Sequence, residues 1–274
     1  MKAVFFDLDG TLLDRDASIK EFSIQQYQRY YDKLSHIPQA VFTNRFKELD
    51  ARGYVWKDKV YQQMEAEFTF QGIAAEDLLM DYLNHFHQSC VPFPHLIETL
   101  SDLRDRQIKM GIISNGRWGF QMASIQALQV EEYFGVILIS EQEGISKPDP
   151  QIFHRAMDRL CVSPYESVFV GDHPVNDIEG SKRCGMEAVW KRDPNWNNTA
   201  VKWKIDDLKE LPLLIDRMRR LASICTIRTE RADISGISSA GRKRSVSKGT
   251  VRMRHSAGQK KQAAIFFTNI ATRL

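Results

Sequence analysis

The sequence predicts an α/β protein: a doubly wound parallel sheet core with an inserted α-helical segment. Three observations predict it. Residues 2–6 (Lys-Ala-Val-Phe-Phe) form an apolar, β-prone run of the kind buried in parallel sheets. From residue 95 to residue 190, short apolar runs alternate with helical patterns, the rhythm of a Rossmann-like sheet covered on both faces. Between these two parts, residues 15–90 carry helical spacing and no convincing strand.

Each element follows from its residues. The first strand ends at Asp7-Leu8-Asp9-Gly10-Thr11, where alternation lets Asp7 and Asp9 project the same way and Gly10 permits a sharp turn. Residues 18–34, 39–50, 55–70 and 75–88 read as helices, with breaks at Gly53 and Gly72. The Val91-Pro92-Phe93-Pro94 segment closes the insertion, since paired prolines cannot continue a helix. A helix over 95–106 precedes a strand at Ile108–Ile113 that ends in Ser114-Asn115-Gly116. A helix over 118–129 and a strand at Val136–Ile139 follow, then a helix at Pro150–Leu160 with prolines at its start. Ser167–Val170 is a strand ending at Gly171-Asp172, Asp177–Cys184 a helix stopped by Gly185, and Glu187–Trp190 a strand. A last amphipathic helix falls within 205–221.

Composition sets the limits. With 43 % apolar and 27 % charged residues in 274, the chain is expected to be globular, with one or two domains. No stretch is long and apolar enough to span a bilayer, and Asp7 and Asp9 interrupt the only N-terminal apolar run, so no secretory pattern and no membrane partner are expected. Cys90, Cys161, Cys184 and Cys225 are scattered, which fits reduced thiols in the cytoplasm. The net charge of +3 hides an asymmetry. Residues 222–274 hold 11 Lys and Arg against 2 Asp and Glu, while the rest holds 27 against 33. The basic segment is expected to be a disordered tail, and no specific nucleic-acid partner is expected for the acidic body.

Polar residues recur at the predicted strand ends: Asp7, Asp9 and Thr11; Ser114 and Asn115; Lys147; Asp172 and Asp177. Strand ends of one parallel sheet share an edge, where open α/β sheets bind ligands. Carboxylates at Asp7, Asp172 and Asp177 suit a hard divalent cation such as Mg²⁺. The Thr11 and Ser114 hydroxyls, backbone N–H groups near Asn115 and the Lys147 ammonium suit phosphate oxygens. A solvated Asp-Gly turn capped by Thr11 is the plainer reading of the first motif alone.

Taken together, DLDGT at 7–11, ISNG at 113–116, SKPDP at 146–150 and VGDHPVND at 170–177 resemble the haloacid dehalogenase (HAD) superfamily, in its phosphatase branch with a helical cap (phosphoglycolate-phosphatase-like). The resemblance covers residues 3–192. It implies a core of residues 1–14 and 91–221 and a cap of residues 15–90. It implies a Mg²⁺-dependent phosphatase for a small phosphorylated metabolite, with Asp7 as nucleophile and Asp9 as acid and base. Lys147 would neutralise charge, and Thr11, Ser114 and Asn115 would lie at the phosphoryl group. The cation would be held by Asp7, the Asp9 backbone carbonyl, Asp172 and Asp177. A monomer or homodimer is expected.

Three other readings stand beside this one. A dehalogenase of the same fold would lack the Asp9 carboxylate and need no Mg²⁺. A phosphomutase would need particular cap residues. A non-catalytic regulator would leave the intact motifs unexplained. Helical spacing assigns most aromatics of residues 22–70 to the core of the insertion, with a minority facing the site. Trp118 and Phe120 are expected to pack, in a position near the second motif that also allows substrate contact, and His173 receives no role.

Overall fold

A computed structural model of the chain describes residues 1–196 and 200–221. Six parallel strands make one sheet: β1 (Ala3–Phe6), β2 (Lys109–Ser114), β3 (Val136–Ile139), β4 (Ser167–Gly171), β5 (Glu187–Lys191) and β6 (Trp203–Ile205). Their order is β3-β2-β1-β4-β5-β6. β1 therefore lies between β2 and β4, with Phe5 beside Gly111 on one side and Phe169 on the other. A side chain at Gly111 would overlap the Phe5 ring and Val136.

Strand alternation sorts the core into two layers. Val4, Phe6, Ile112, Val168 and Val170 join one cluster with Leu96, Leu100, Leu103, Leu211 and Ile215 from helical segments. Ala3, Phe5, Ile113, Leu138 and Phe169 face the other way, onto Ile152, Phe153, Ala156 and Met157 of the Pro150–Leu160 helix. Asp149 caps that helix by accepting from Gln151 N at 2.8 Å, and Pro150 occupies its first turn. Each fully buried large side chain here contributes roughly 1.5–3 kcal/mol of transfer free energy.

Several elements differ from the sequence reading: the helix expected over 18–34 breaks at Tyr30, and a helical turn at Ser140–Glu143 follows β3. β6 is a three-residue strand, Trp-Lys-Ile, that the sequence reading did not assign. The stretch expected as one helix from Asp177 begins as a π-helical turn over Pro174–Glu179 and becomes α-helical only at Gly180–Arg183. The last helix occupies 211–221, after a 3-10 turn at Leu208–Glu210. The basic tail predicted for 222–274, with Cys225, lies outside the described residues.

Residues 15–90 hold helices Arg15–Arg29, Gln39–Asp50, Lys57–Phe68 and Ala75–His85, with no strand. Their shared interior is aromatic. Phe22 meets Tyr82 edge-on with ring centroids 5.2 Å apart, and Phe46 lies 5.3 Å from Tyr61. Phe120, on the Trp118–Ala127 helix of the sheet layer, stacks on Tyr82 and Phe86 and joins the insertion to the core. Between the second and third of these helices, residues 51–56 form a loop. Arg52 and Gly53 both have positive φ there, and Asp50 ties the turn down by accepting from Gly53 N at 3.0 Å. The same carboxylate holds Arg15 in a two-pronged ion pair and binds Lys57.

Candidate active site

The carboxyl ends of β1, β2 and β4 converge on one cluster. Asp7 directly follows β1, Asp172 directly follows β4, and Asp177 lies in the π-turn beyond it. One oxygen from each can be chosen so that all three lie within 4.8 Å of one another, and all three residues are buried. Two glycines make this convergence possible. Gly10 has φ +86°, and a Cβ there would lie 2.7 Å from the Asp172 carboxylate. A Cβ at Gly171 would lie 2.4 Å from the Asp177 side chain.

Lys147, only 4 % exposed, inserts its ammonium into the cluster. Its Nζ donates to Asp7 Oδ1 at 2.5 Å and to Asp177 Oδ1 at 2.8 Å. The Asn115 amide fixes the lysine from behind. Asn115 Oδ1 accepts from Lys147 N at 2.8 Å, and its Nδ2 donates to Lys147 O at 2.9 Å. The side chain of Asn115, which also lines the cavity described below, is therefore tied to the backbone of the third motif.

Charge balance explains the electrostatics. Burial pushes Asp7 well above the usual carboxylate range, and Asp177 and Asp172 push the same way against the pull of Lys147. Burial, then Asp177 and Asp193, push Asp172 up to about 7. Burial opposes the charge on Lys147, yet Asp177 and Asp7 hold its pKa above the ordinary value. Three buried acids against one buried ammonium leave an excess of negative charge, which a divalent cation would neutralise. Oxygen donors of this type fit a hard cation.

Thr11 and Ser114 are buried beside this cluster. Thr11 Oγ1 reaches towards Asp7 Oδ2 at 3.4 Å. The Asp9 carboxylate stands apart from the three-acid group. Gln121 Nε2 donates to Asp9 Oδ2 at 2.7 Å and to Ser114 Oγ at 2.6 Å. Gln121 was not legible as a site residue; its signal is a buried amide on the helix that follows the second motif. Arg52 was also missed. From the insertion loop it pairs with Asp193 and lies 3.6 Å from Asp172.

A cavity of about 800 Å³ separates the insertion from the sheet edge, with Asp7, Asp9 and Lys147 in its lining. His173 also lines it. Its Nδ1 accepts from the backbone N–H groups of Val175 and Asn176, so Nε2 carries the proton and donates to the Tyr54 hydroxyl at 2.8 Å. Burial lowers the pKa of His173, in keeping with a neutral ring. Phe120 lines the cavity, whereas Trp118 does not.

A parallel sheet that gathers acids and one buried lysine at the ends of its central strands defines a class of hydrolases built on this arrangement. Residues 4–191 match the family model of haloacid dehalogenase-like hydrolases, and the chain belongs to that family. The chain is 27 % identical over 230 residues to the glyceraldehyde 3-phosphate phosphatase of Pyrococcus furiosus, covering 80 % of this chain and 94 % of that protein. It is 26 % identical over 235 residues to the mouse (Mus musculus) N-acylneuraminate-9-phosphatase, covering 78 % and 94 %. Among solved structures, a HAD phosphatase from Thermococcus onnurineus aligns with a TM-score of 0.56 and 30 % identity, over 78 % of this chain and 98 % of that one. Among the described residues, no helix is long and apolar enough to cross a membrane.

Proposed function

We propose that the protein is a Mg²⁺-dependent phosphatase that cleaves a small phosphomonoester through an aspartyl-phosphate on Asp7. The observation that carries this reading is the buried Asp7–Lys147–Asp177 contact with Asp172 alongside. The phosphatase names of the relatives described above support the same reaction class. Asp7, Asp172 and Asp177 would hold the cation through their carboxylates, with the Asp9 carbonyl beside them, and the cation would offset charge between nucleophile and phosphate.

A carboxylate oxygen of Asp7 attacks phosphorus as the ester P–O bond breaks, and the bonding electrons pass to the leaving oxygen. Asp9 donates a proton to that oxygen. Asp9, now a carboxylate, then takes a proton from water. The resulting hydroxide attacks phosphorus, the P–O bond to Asp7 breaks, and inorganic phosphate leaves. Lys147 neutralises Asp7 and the phosphoryl oxygens throughout. Thr11, Ser114 and the backbone N–H groups near Asn115 orient the phosphoryl group. Residues 15–90 act as a cap over the site, and the three free described cysteines fit a cytoplasmic setting.

Purified protein given a panel of phosphate esters should release phosphate with Mg²⁺ and none with EDTA. Halide release from a haloacid in EDTA, with no phosphate release from any ester, would replace this reading with the dehalogenase one.

A further inference from the structure

We infer that the phosphatase site takes an ester whose alcohol carries a planar aromatic or heteroaromatic ring, stacked on Trp56 with Tyr54 beside it. This inference rests on the phosphatase reading. Tyr54 and Trp56 are each 62 % exposed, yet both line the cavity that contains Asp7. Exposed large aromatics gathered in one concave site mark a surface built for a ligand.

The loop that carries them is held in place at several points. Asp50 accepts from Gly53 N, Arg52 pairs with Asp193, and the Tyr54 hydroxyl accepts from His173. The Arg117 guanidinium lies over one face of the Trp56 ring, 4.5 Å from its centre. A guanidinium over one face braces the indole, whose remaining surface stays exposed, and aromatic stacking tolerates many planar rings. Such a preorganised surface binds without first having to order itself.

The charges of the outer cavity argue the same way. Arg15 and Lys57 are paired with Asp50, and Arg52 with Asp193. Among the described residues, Arg117 is the cavity cation that pairs with no carboxylate. The walls away from Asp7 therefore offer aromatic surface more than a second phosphate site. A volume of about 800 Å³ also exceeds what a triose ester fills and lies within the range of about 300–1,000 Å³ typical of larger ligands.

The test is steady-state kinetics with Mg²⁺ on uridine 5′-monophosphate and pyridoxal 5′-phosphate beside glycerol 3-phosphate. The better ring ester should exceed glycerol 3-phosphate at least about tenfold in kcat/KM. Trp56→Ala should cut that ratio about tenfold, through KM for the ring ester, and Trp56→Phe should restore most of it. Trp56 is exposed, so neither change opens the core. Equal or better use of glycerol 3-phosphate, or a ratio untouched by Trp56→Ala, overturns the ring site. Hydrolysis of glycerol 3-phosphate that depends on Asp7, without use of either ring ester, would leave the phosphatase reading standing. Release of phosphate from no ester at all would remove both.

Discussion

The Lys147 ammonium lies 2.5 Å from Asp7 Oδ1, on the side chain proposed above as the nucleophile. The same nitrogen reaches Asp177 at 2.8 Å, so one cation spans two of the three buried acids. Lys147→Met removes the one ammonium that the described residues place in this cluster and leaves the acids to repel each other. Breaking a buried pair in this way typically costs about 3–5 kcal/mol. The variant should therefore melt well below the wild type in EDTA and recover part of the loss in Mg²⁺. Equal melting temperatures in EDTA would show that the lysine does not balance the acids.

Proton and metal should compete for the same acids. An ordinary aspartate titrates near 3.8, and Asp172 in the fold titrates near 7. The folded state binds this proton more tightly than the unfolded chain. The stability it contributes is full below about pH 4 and is lost as pH rises through about 7. In EDTA, the melting temperature should fall between about pH 4 and pH 7 and level off above that. Mg²⁺ should raise it more at the higher pH, where fewer protons need displacing. A Mg²⁺ effect independent of pH would exclude a cation at Asp172.

Gln121 joins the acid Asp9 to Ser114 through a single amide nitrogen. Gln121→Leu keeps the volume and removes both hydrogen bonds. Misplacement of a catalytic group by a fraction of an ångström is costly in rate. The variant should lose roughly tenfold or more in kcat with little change in KM. An unchanged kcat would mean that Asp9 is oriented by other groups.

What the sequence revealed and what it hid follow from distance along the chain. β1 and its Asp7–Thr11 turn are legible because an apolar run and its polar end are contiguous. The convergence of Asp7 and Asp172 is legible through sheet topology, since each directly follows a strand, whereas Lys147 lies beyond β3 and the helical turn Ser140–Glu143 and is legible only through its motif. Gln121 and Arg52 are not, because their roles depend on partners 112 and 141 residues away, Asp9 and Asp193. Helical spacing accounts for Phe22, Phe46 and Tyr61 as core, but it carries no signal that Tyr54 and Trp56 sit in a loop facing the cavity. β6 is short enough that only its pairing with β5 reveals it.

The described body also sets where the chain can be cut. Leu211, Ile215 and Met218 are buried, so the last helix belongs to the core. A chain ending at Leu221 should keep its melting temperature within a few degrees and its kcat/KM within about twofold. A large drop in either would show that residues 222–274 contribute to the body.

The most direct measurement traps the covalent intermediate. Enzyme turning over its best phosphate ester in Mg²⁺ is quenched in acid and reduced with borohydride, and its peptides are mapped by mass spectrometry. Asp7, and no other carboxylate, should be converted to homoserine. Asp7→Asn should give no trapped product and lose turnover by several orders of magnitude. An unmodified Asp7 in actively turning-over enzyme, together with near-wild-type activity in Asp7→Asn, would contradict the account.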